Sequence, residues 1–300
     1  MRRLGKKLEI AVISVGVVVL AAALSVYGLS QARLGKVYEF AVALPDVPAD
    51  PQLAARGLHL AHSRGCADCH SADLGGKVFF DESGIALVSA TNLTSGVGGI
   101  AASYSEGDWD RAIRHGVGRD GRALWIMPSA EYFGFSDADV SALVAYFRAA
   151  PPVDRELPAK RVGPLGRMLL TAGLLSPFSA EHIDHAATRA PAPPEGATVE
   201  YGRYLAAMCA GCHGANFAGR KAPGPPGSPA APNLTAHAGG LGGWTETDFV
   251  SSLRYGQLPD GRIMLNEFMP WSMTASMTEA ELTAIWLYLR SLPPVATGST

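Results

Sequence analysis

The chain has 300 residues, 48% hydrophobic and 17% charged, the composition of a folded protein and the length of about two domains. Its 25 basic and 27 acidic residues give a formal net charge of -2, with no run of like charge after the first seven residues, so nucleic acid is set aside as a partner. Four cysteines are too few for a disulfide scaffold of this length.

The N-terminus carries Arg2, Arg3, Lys6 and Lys7, and from Ile10 to Leu29 twenty uncharged residues follow. A helix rising ~1.5 Å per residue covers the ~30 Å hydrocarbon core in about that length. The positive-inside rule keeps the basic tip in the cytoplasm and sends everything after Gln31 to the far side. The other reading is a cleaved signal peptide with Ser30-Gln31-Ala32 as the cleavage site, but twenty residues exceed the usual apolar region of such peptides. Residues 1–35 are therefore expected to be a basic tip and a transmembrane anchor.

The remainder repeats itself at a period of about 142 residues. Gly57 answers Gly202, Cys66-Ala67-Asp68-Cys69-His70 answers Cys209-Ala210-Gly211-Cys212-His213, and Asn92-Leu93-Thr94 answers Asn233-Leu234-Thr235. Arg114-His115-Gly116 answers Arg254-Tyr255-Gly256, Asp120-Gly121-Arg122 answers Asp260-Gly261-Arg262, and Met127-Pro128 answers Met269-Pro270. This sets one domain at 50–153, a second at 199–296, and a linker at 154–198 with no counterpart in either.

In the first copy a helix is expected around Leu53 to Ser63, where Gly57 would let the terminal helix approach closely. A hairpin pairs Val78 to Phe80 with Leu87 to Ser89. The copy closes with a helix opened by Ser136 and Asp139, striped by Val140, Leu143, Val144 and Phe147, and stopped by Pro151. The linker offers one amphipathic helix through Leu165, Met168, Leu169 and Leu170, with Leu174 and Leu175 beyond, and a Pro-rich tether from Arg189 to Gly196. In the second copy a helix is expected from Glu200 to Met208, Ala222 to Pro232 is too Pro-rich for a ladder, and Thr278 with Glu281 opens the terminal helix ahead of Pro293.

Cys-x-x-Cys-His lets two thiols form thioether bonds to the vinyl groups of one haem while the next histidine reaches the iron. The other readings of the cysteines are one Cys₄ zinc site or two redox dithiols; the former needs no histidine after each pair and the latter wants a βαβ context that is absent. Both copies resemble class I cytochrome c domains. They look most like the cytochrome subunits of membrane-bound periplasmic dehydrogenases, which share the Asn-Leu-Thr element, the Arg-x-Gly and Asp-Gly-Arg stretches, Met-Pro, and a terminal helix ending in Pro-Pro-Val. The alcohol dehydrogenase type usually has three haems, where this sequence has motifs for two.

The resemblance implies a mainly α fold, an N-terminal transmembrane helix followed by two tandem cytochrome c-like domains. It implies two covalently bound haem c groups, attached through Cys66, Cys69, Cys209 and Cys212 and ligated by His70 and Met127 and by His213 and Met269. Repeat position selects Met269 over Met264, Met273 and Met277; His115 is the alternative ligand for the first iron, disfavoured because its equivalent is Tyr255. Asn92, Asn233, Arg114, Arg254, Arg122 and Arg262 are read either as propionate partners or as local turn formers and solvated cations. His59, His62, His182, His185 and His237 are read as surface histidines.

The expected function is a membrane-anchored dihaem cytochrome c in the inner (cytoplasmic) membrane, single-pass, with its haem domains in the periplasm. Its donor would be a dehydrogenase or quinol-oxidising complex and its acceptor a terminal oxidase or soluble cytochrome. The competing class is a dihaem enzyme, peroxidase-like or thiosulfate-dehydrogenase-like, which needs one open or replaceable haem ligand.

Overall fold

The computed structural model describes residues 2–42, 44–221 and 228–298. The side chains of Arg2 and Arg3, counted above in the basic tip, lie outside what is described, as does most of the Pro-rich run that begins at Ala222.

Helix α1 (Arg2–Leu34) is long and apolar enough to cross a membrane, and its side chains from Ile10 to Ser25 are exposed. The first copy follows as α2 (Pro51–Ser63), the single turn α3 (Cys66–His70), the antiparallel strands β1 (Lys77–Glu82) and β2 (Ala86–Ala90), α4 (Glu106–His115), the short α5 (Ser129–Tyr132) and α6 (Asp137–Ala149). Asp50 caps α2 through the Gln52 N–H and Ser136 caps α6 through Asp139, while Ser105 and Asp108 close a reciprocal capping box on α4. The linker contributes β3 (Arg161–Val162), which adds to β2, and α7 (Pro164–Thr171). The second copy comprises α8 (Val199–Ala206), α9 (Ala210–His213), α10 (Glu246–Tyr255), α11 (Trp271–Thr274) and α12 (Glu279–Ser291).

Each copy has its own core. In the first, Leu60, Trp109, Ile113, Leu143 and Phe147 are buried between α2, α4 and α6; in the second, Leu205, Phe249, Leu253, Leu282, Ile285 and Leu289 do the same between α8, α10 and α12. The two crossings are close because they are built on glycine. A Cβ on Gly57 would lie 1.9 Å from the Ala142 carbonyl oxygen, and one on Gly202 would lie 1.8 Å from that of Ala284, so only glycine fits either position.

The hairpin forms as expected and gains the linker strand as a third member. Helices α4 and α10 lie outside the elements expected from the sequence, although Ser105-x-x-Asp108 and Thr245-x-x-Asp248 are capping boxes visible in it.

Candidate functional site

The residues before Cys66 set the geometry of the first motif. Gly65 sits at φ 77 and Ser71 at φ 70, so the chain turns sharply on both sides of α3 and the five residues form one isolated helical turn. Cys66, Cys69 and His70 line a cavity of about 1060 Å³ including its open mouth. Met127 lines it too, and the rest of the wall includes Leu93, Ile100, Trp109, Leu143 and Phe147. The His70 Nδ1 lies 2.7 Å from the Thr91 carbonyl oxygen. A carbonyl only accepts, so Nδ1 carries the proton and Nε2 keeps its lone pair, the arrangement a metal-binding imidazole requires. Burial holds the His70 pKa below its ordinary value, which keeps the ring neutral.

The second motif repeats this chemistry. His213 Nδ1 lies 2.8 Å from the Pro232 carbonyl, and burial lowers the pKa of this ring as well. Cys209 and Met269 both pack against the second core. Of the other methionines, Met277 is a buried core residue, Met273 lies against Gly65 of the first copy, and the Met264 carbonyl accepts from the Trp271 indole N–H at 3.0 Å.

Burial pushes the Cys66 and Cys209 thiols up to about 12 and raises Cys69 and Cys212 as well. Raised thiols of this kind are poor thiolate nucleophiles, which disfavours the redox-dithiol reading. Among the described residues no three of His, Cys, Asp or Glu converge as a metal cluster. A large apolar wall, paired neutral thiols, a neutral imidazole with its Nε2 free and a thioether lining the same cavity are the donor set of a covalently attached haem, and the first cavity fits one.

The Met127 loop is held from outside its own copy. Ile126 adopts φ 65, a left-handed conformation that costs a β-branched residue on the order of 1–3 kcal/mol. The linker stabilises it: the Ile126 N–H donates to the Pro177 carbonyl at 2.8 Å, the Ser179 hydroxyl donates to the Met127 carbonyl at 2.6 Å, and Trp125 packs edge-on against Phe178.

The two copies meet through related positions. His59 Nε2 lies 2.9 Å from Glu281, the N3 residue of α12, and its counterpart Tyr204 donates to Asp139, the N3 residue of α6. Met273 abuts Gly65, just before the first motif, while Glu131 presses on Gly211 inside the second. Buried Arg64 lies 3.6 Å from Glu281 across the same interface. Glu131 has its pKa raised to about 7 by burial.

Among the secondary expectations, those for Arg114, Arg254, His59 and His185 are corrected, while the local turns of Asn92 and Asn233 and the surface position of Arg262 agree with one of the two readings. Arg114 is neither a solvated cation nor a lining residue: it is fully buried, pairs with Asp110 and Asp137, and donates to the Phe135 carbonyl at 3.0 Å. Arg254 likewise donates to the Ala275 and Met277 carbonyls, both at 2.8 Å, so both arginines hold the turn before the terminal helix. Asn92 and Asn233 close local turns with Thr94 and Thr235, and each amide also donates at 2.7 Å to a carbonyl past the terminal helix, Val153 or Val295. Arg262 pairs with Asp260 at the surface. His59 bridges the two copies rather than facing solvent alone. His185 is packed, not free: its Nδ1 lies 2.9 Å from that of His115 and its ring stacks on Phe40. His115 is buried there, is not among the cavity-lining residues, and has its pKa lowered to about 3, chiefly by burial and then by His185.

The sequence profile of the cytochrome c family matches residues 54–150 and 199–293. The chain is 30% identical over 281 residues to the gluconate 2-dehydrogenase cytochrome c subunit of Pantoea cypripedii, covering 83% of this chain and 62% of that one. It is 31% identical over 291 residues to the alcohol dehydrogenase (quinone) cytochrome c subunit of Komagataeibacter europaeus, covering 84% and 59%. The fructose dehydrogenase cytochrome subunit of Gluconobacter japonicus is 28% identical over 271 residues, covering 81% and 53%. The chain thus spans about three fifths of the length of the first of these relatives.

Proposed function

The chain belongs to the cytochrome c family, and from that premise we propose that it is a two-haem electron-transfer subunit, anchored by α1 in the cytoplasmic membrane with both haem domains in the periplasm. It takes single electrons from a dehydrogenase or quinol-oxidising complex and passes them to a terminal oxidase or soluble cytochrome. The dehydrogenase partner is supported by the names of the relatives, which are subunits of gluconate, alcohol and fructose dehydrogenases. The anchor is supported by the exposed apolar stretch of α1.

Bound haem c supplies a one-electron ferric–ferrous couple. Cys66 with Cys69, and Cys209 with Cys212, would hold it covalently. The Thr91 and Pro232 carbonyls fix the ring orientation of His70 and His213 and leave the Nε2 of each free to ligate iron. Met127 and Met269 would supply a thioether ligand, which favours the reduced state and leaves no site for a substrate. The apolar lining of the first cavity excludes water and limits reorganisation on electron gain and loss.

The observation that carries this reading is the cavity in which the first Cys-x-x-Cys-His turn and Met127 line one apolar space. Haem-loaded protein should show the long-wavelength charge-transfer band of thioether-ligated ferric haem. Met127→Ala and Met269→Ala should each remove about half of it, while Met264→Ala and Met273→Ala leave it whole. Retention of the full band in Met127→Ala, or its loss in Met264→Ala, would overturn the assignment.

A further inference from the structure

A linker helix that simply bridged two water-soluble domains would turn its apolar side chains inward, and α7 does so only in part. Leu170 is buried, but Leu165 and Met168, and Leu174 three residues past its end, are 46%, 56% and 72% exposed. Scattered apolar exposure is ordinary, but these three lie on or just past the helix that packs against α1, where Leu24, Tyr27 and Leu29 are also largely exposed.

The level at which α7 meets α1 is informative. Thr171 Oγ1 reaches the Val26 carbonyl at 3.4 Å, the Arg167 guanidinium lies 4.6 Å from the Tyr27 ring centroid, and Arg167 donates to the Ser30 hydroxyl at 2.9 Å. Val26 precedes Leu29, the last residue of the apolar span, by three positions, which is about 4.5 Å along a helix axis. The polar border of a bilayer is only about 5–8 Å deep on each side. If α1 spans the bilayer, α7 therefore meets it at the edge of the hydrocarbon, from just inside it at Val26 to the polar border at Ser30.

The same junction is basic. Between the end of α1 and the first copy lies an open cavity whose charged lining is Arg122, Lys160, Arg161 and Arg167 against a single carboxylate, Asp120. Arg161 also lies 3.5 Å from Asp81 at the surface. Four cations with one anion beside an apolar patch, at the depth of the headgroups, match the two halves of an anionic phospholipid.

We propose that α7 is a membrane-surface element: Leu165, Met168 and Leu174 enter the periplasmic leaflet beside α1, and the cavity lined by Arg122 and Arg161 receives the phosphate of an anionic phospholipid. The proposal rests on the reading of α1 as a membrane span. Its consequence is orientation. Arg161 belongs to β3, which pairs with β2, and Pro177 and Ser179 hold the Met127 loop, so the first copy is tied to the bilayer surface. The Cys66–Met127 cavity is then the membrane-proximal one and the second copy the distal one.

The test uses the full haem-loaded chain in lipid nanodiscs of phosphatidylcholine with phosphatidylglycerol. A nitroxide is placed singly at Met168→Cys, Leu174→Cys, Ile13→Cys within the span, or Leu265→Cys on the second copy. Accessibility to oxygen, which concentrates in lipid, is compared with accessibility to a water-soluble nickel chelate. The oxygen-to-nickel ratio at 168 and 174 should exceed that at 265 several-fold and approach that at 13. A lipid-like ratio at 13 with water-like ratios at 168 and 174 overturns this proposal and leaves the anchor standing; a water-like ratio at 13 overturns both. Omitting phosphatidylglycerol should lower the ratio at 168 several-fold, and Arg122→Gln with Arg161→Gln should abolish that dependence. Indifference of the unmodified protein to phosphatidylglycerol overturns the headgroup assignment.

Discussion

Gly202→Ala should unfold the second copy at markedly lower denaturant than the native chain. The added Cβ would sit 1.8 Å from the Ala284 carbonyl oxygen, 2.5 Å from its carbon and 2.8 Å from Tyr288 Cβ, where real Cβ contacts essentially never fall below 3.0 Å. Two of these obstacles are backbone, so the helices α8 and α12 must separate by more than about 1 Å. A gap of 0.5–1 Å already forfeits about a quarter to a half of each dispersion contact, and the contacts at stake are those of buried Leu205, Leu282, Ile285 and Leu289. Overpacking costs about 1–3 kcal/mol and more where backbone must move, while alanine regains at most about 1 kcal/mol in helix propensity. With the overpacking cost at the top of that range, because backbone must move, the expected net loss is about 2 kcal/mol or more, a large share of a domain stability of roughly 5–15 kcal/mol. Guanidinium unfolding of the haem-loaded chain, followed by far-ultraviolet circular dichroism, should show a lower midpoint for Gly202→Ala, and Gly134→Ala, where a Cβ meets open space, should behave as the native chain. A midpoint for Gly202→Ala equal to or above the native one would refute the close-crossing argument.

Other perturbations probe the interface and the site. Burial alone would raise Glu281, but the His59 hydrogen bond, the Thr278 N–H and Arg64 outweigh it and bring its pKa down to about 2. The folded pKa is depressed, so its contribution, about 3 kcal/mol by linkage, is present above the ordinary 4.5 and is lost as pH falls toward about 2; acid titration of Glu281→Gln should be flatter across that window, and an unchanged slope would contradict the assignment. Arg114→Met should cost about 3–5 kcal/mol by stranding Asp110, with much of the loss recovered in Arg114→Met/Asp110→Leu; equal loss in the single and double variants in thermal unfolding would argue against a buried pair. Ser179→Ala removes the hydroxyl that donates to Met127 and should cost about 1 kcal/mol, with faster carbon monoxide binding at one haem as the sign that the loop has loosened. Denatured full chain from a haem-loading, exporting host should retain two covalent haems by pyridine haemochrome, and one haem or bound zinc would defeat the motif reading.

Much of this architecture was readable because it is local or repeated. The paired Cys-x-x-Cys-His turns, Met127-Pro128 and Met269-Pro270, the capped terminal helices and the two crossing glycines each signal themselves by spacing, and the duplication checks every one of them against a second copy. What escaped depends on contacts between distant residues with no period to reveal them. His59 and Tyr204 occupy matching positions yet differ in type, so repeat comparison marks them as variable when their shared task is to reach across to the other copy. Arg114 looks like any helix-end arginine until Asp137, twenty-three residues on, is seen to be its partner. The clamp on Met127 comes from Pro177 and Ser179 in the linker, which resembles neither copy and so had nothing to be compared with. Helices α4 and α10 are legible in the sequence: their capping boxes open short amphipathic runs ended by Gly116 and Gly256 in left-handed conformations.

Carbon monoxide binding to the fully reduced, haem-loaded chain, followed by stopped flow, bears most directly on electron carriage. If Met127 and Met269 ligate the two irons as proposed, neither haem should take up the ligand rapidly, and each should do so only when its methionine is replaced. Rapid, stoichiometric uptake at one haem of the unmodified protein would contradict the carrier and show an open iron of the kind an enzyme needs.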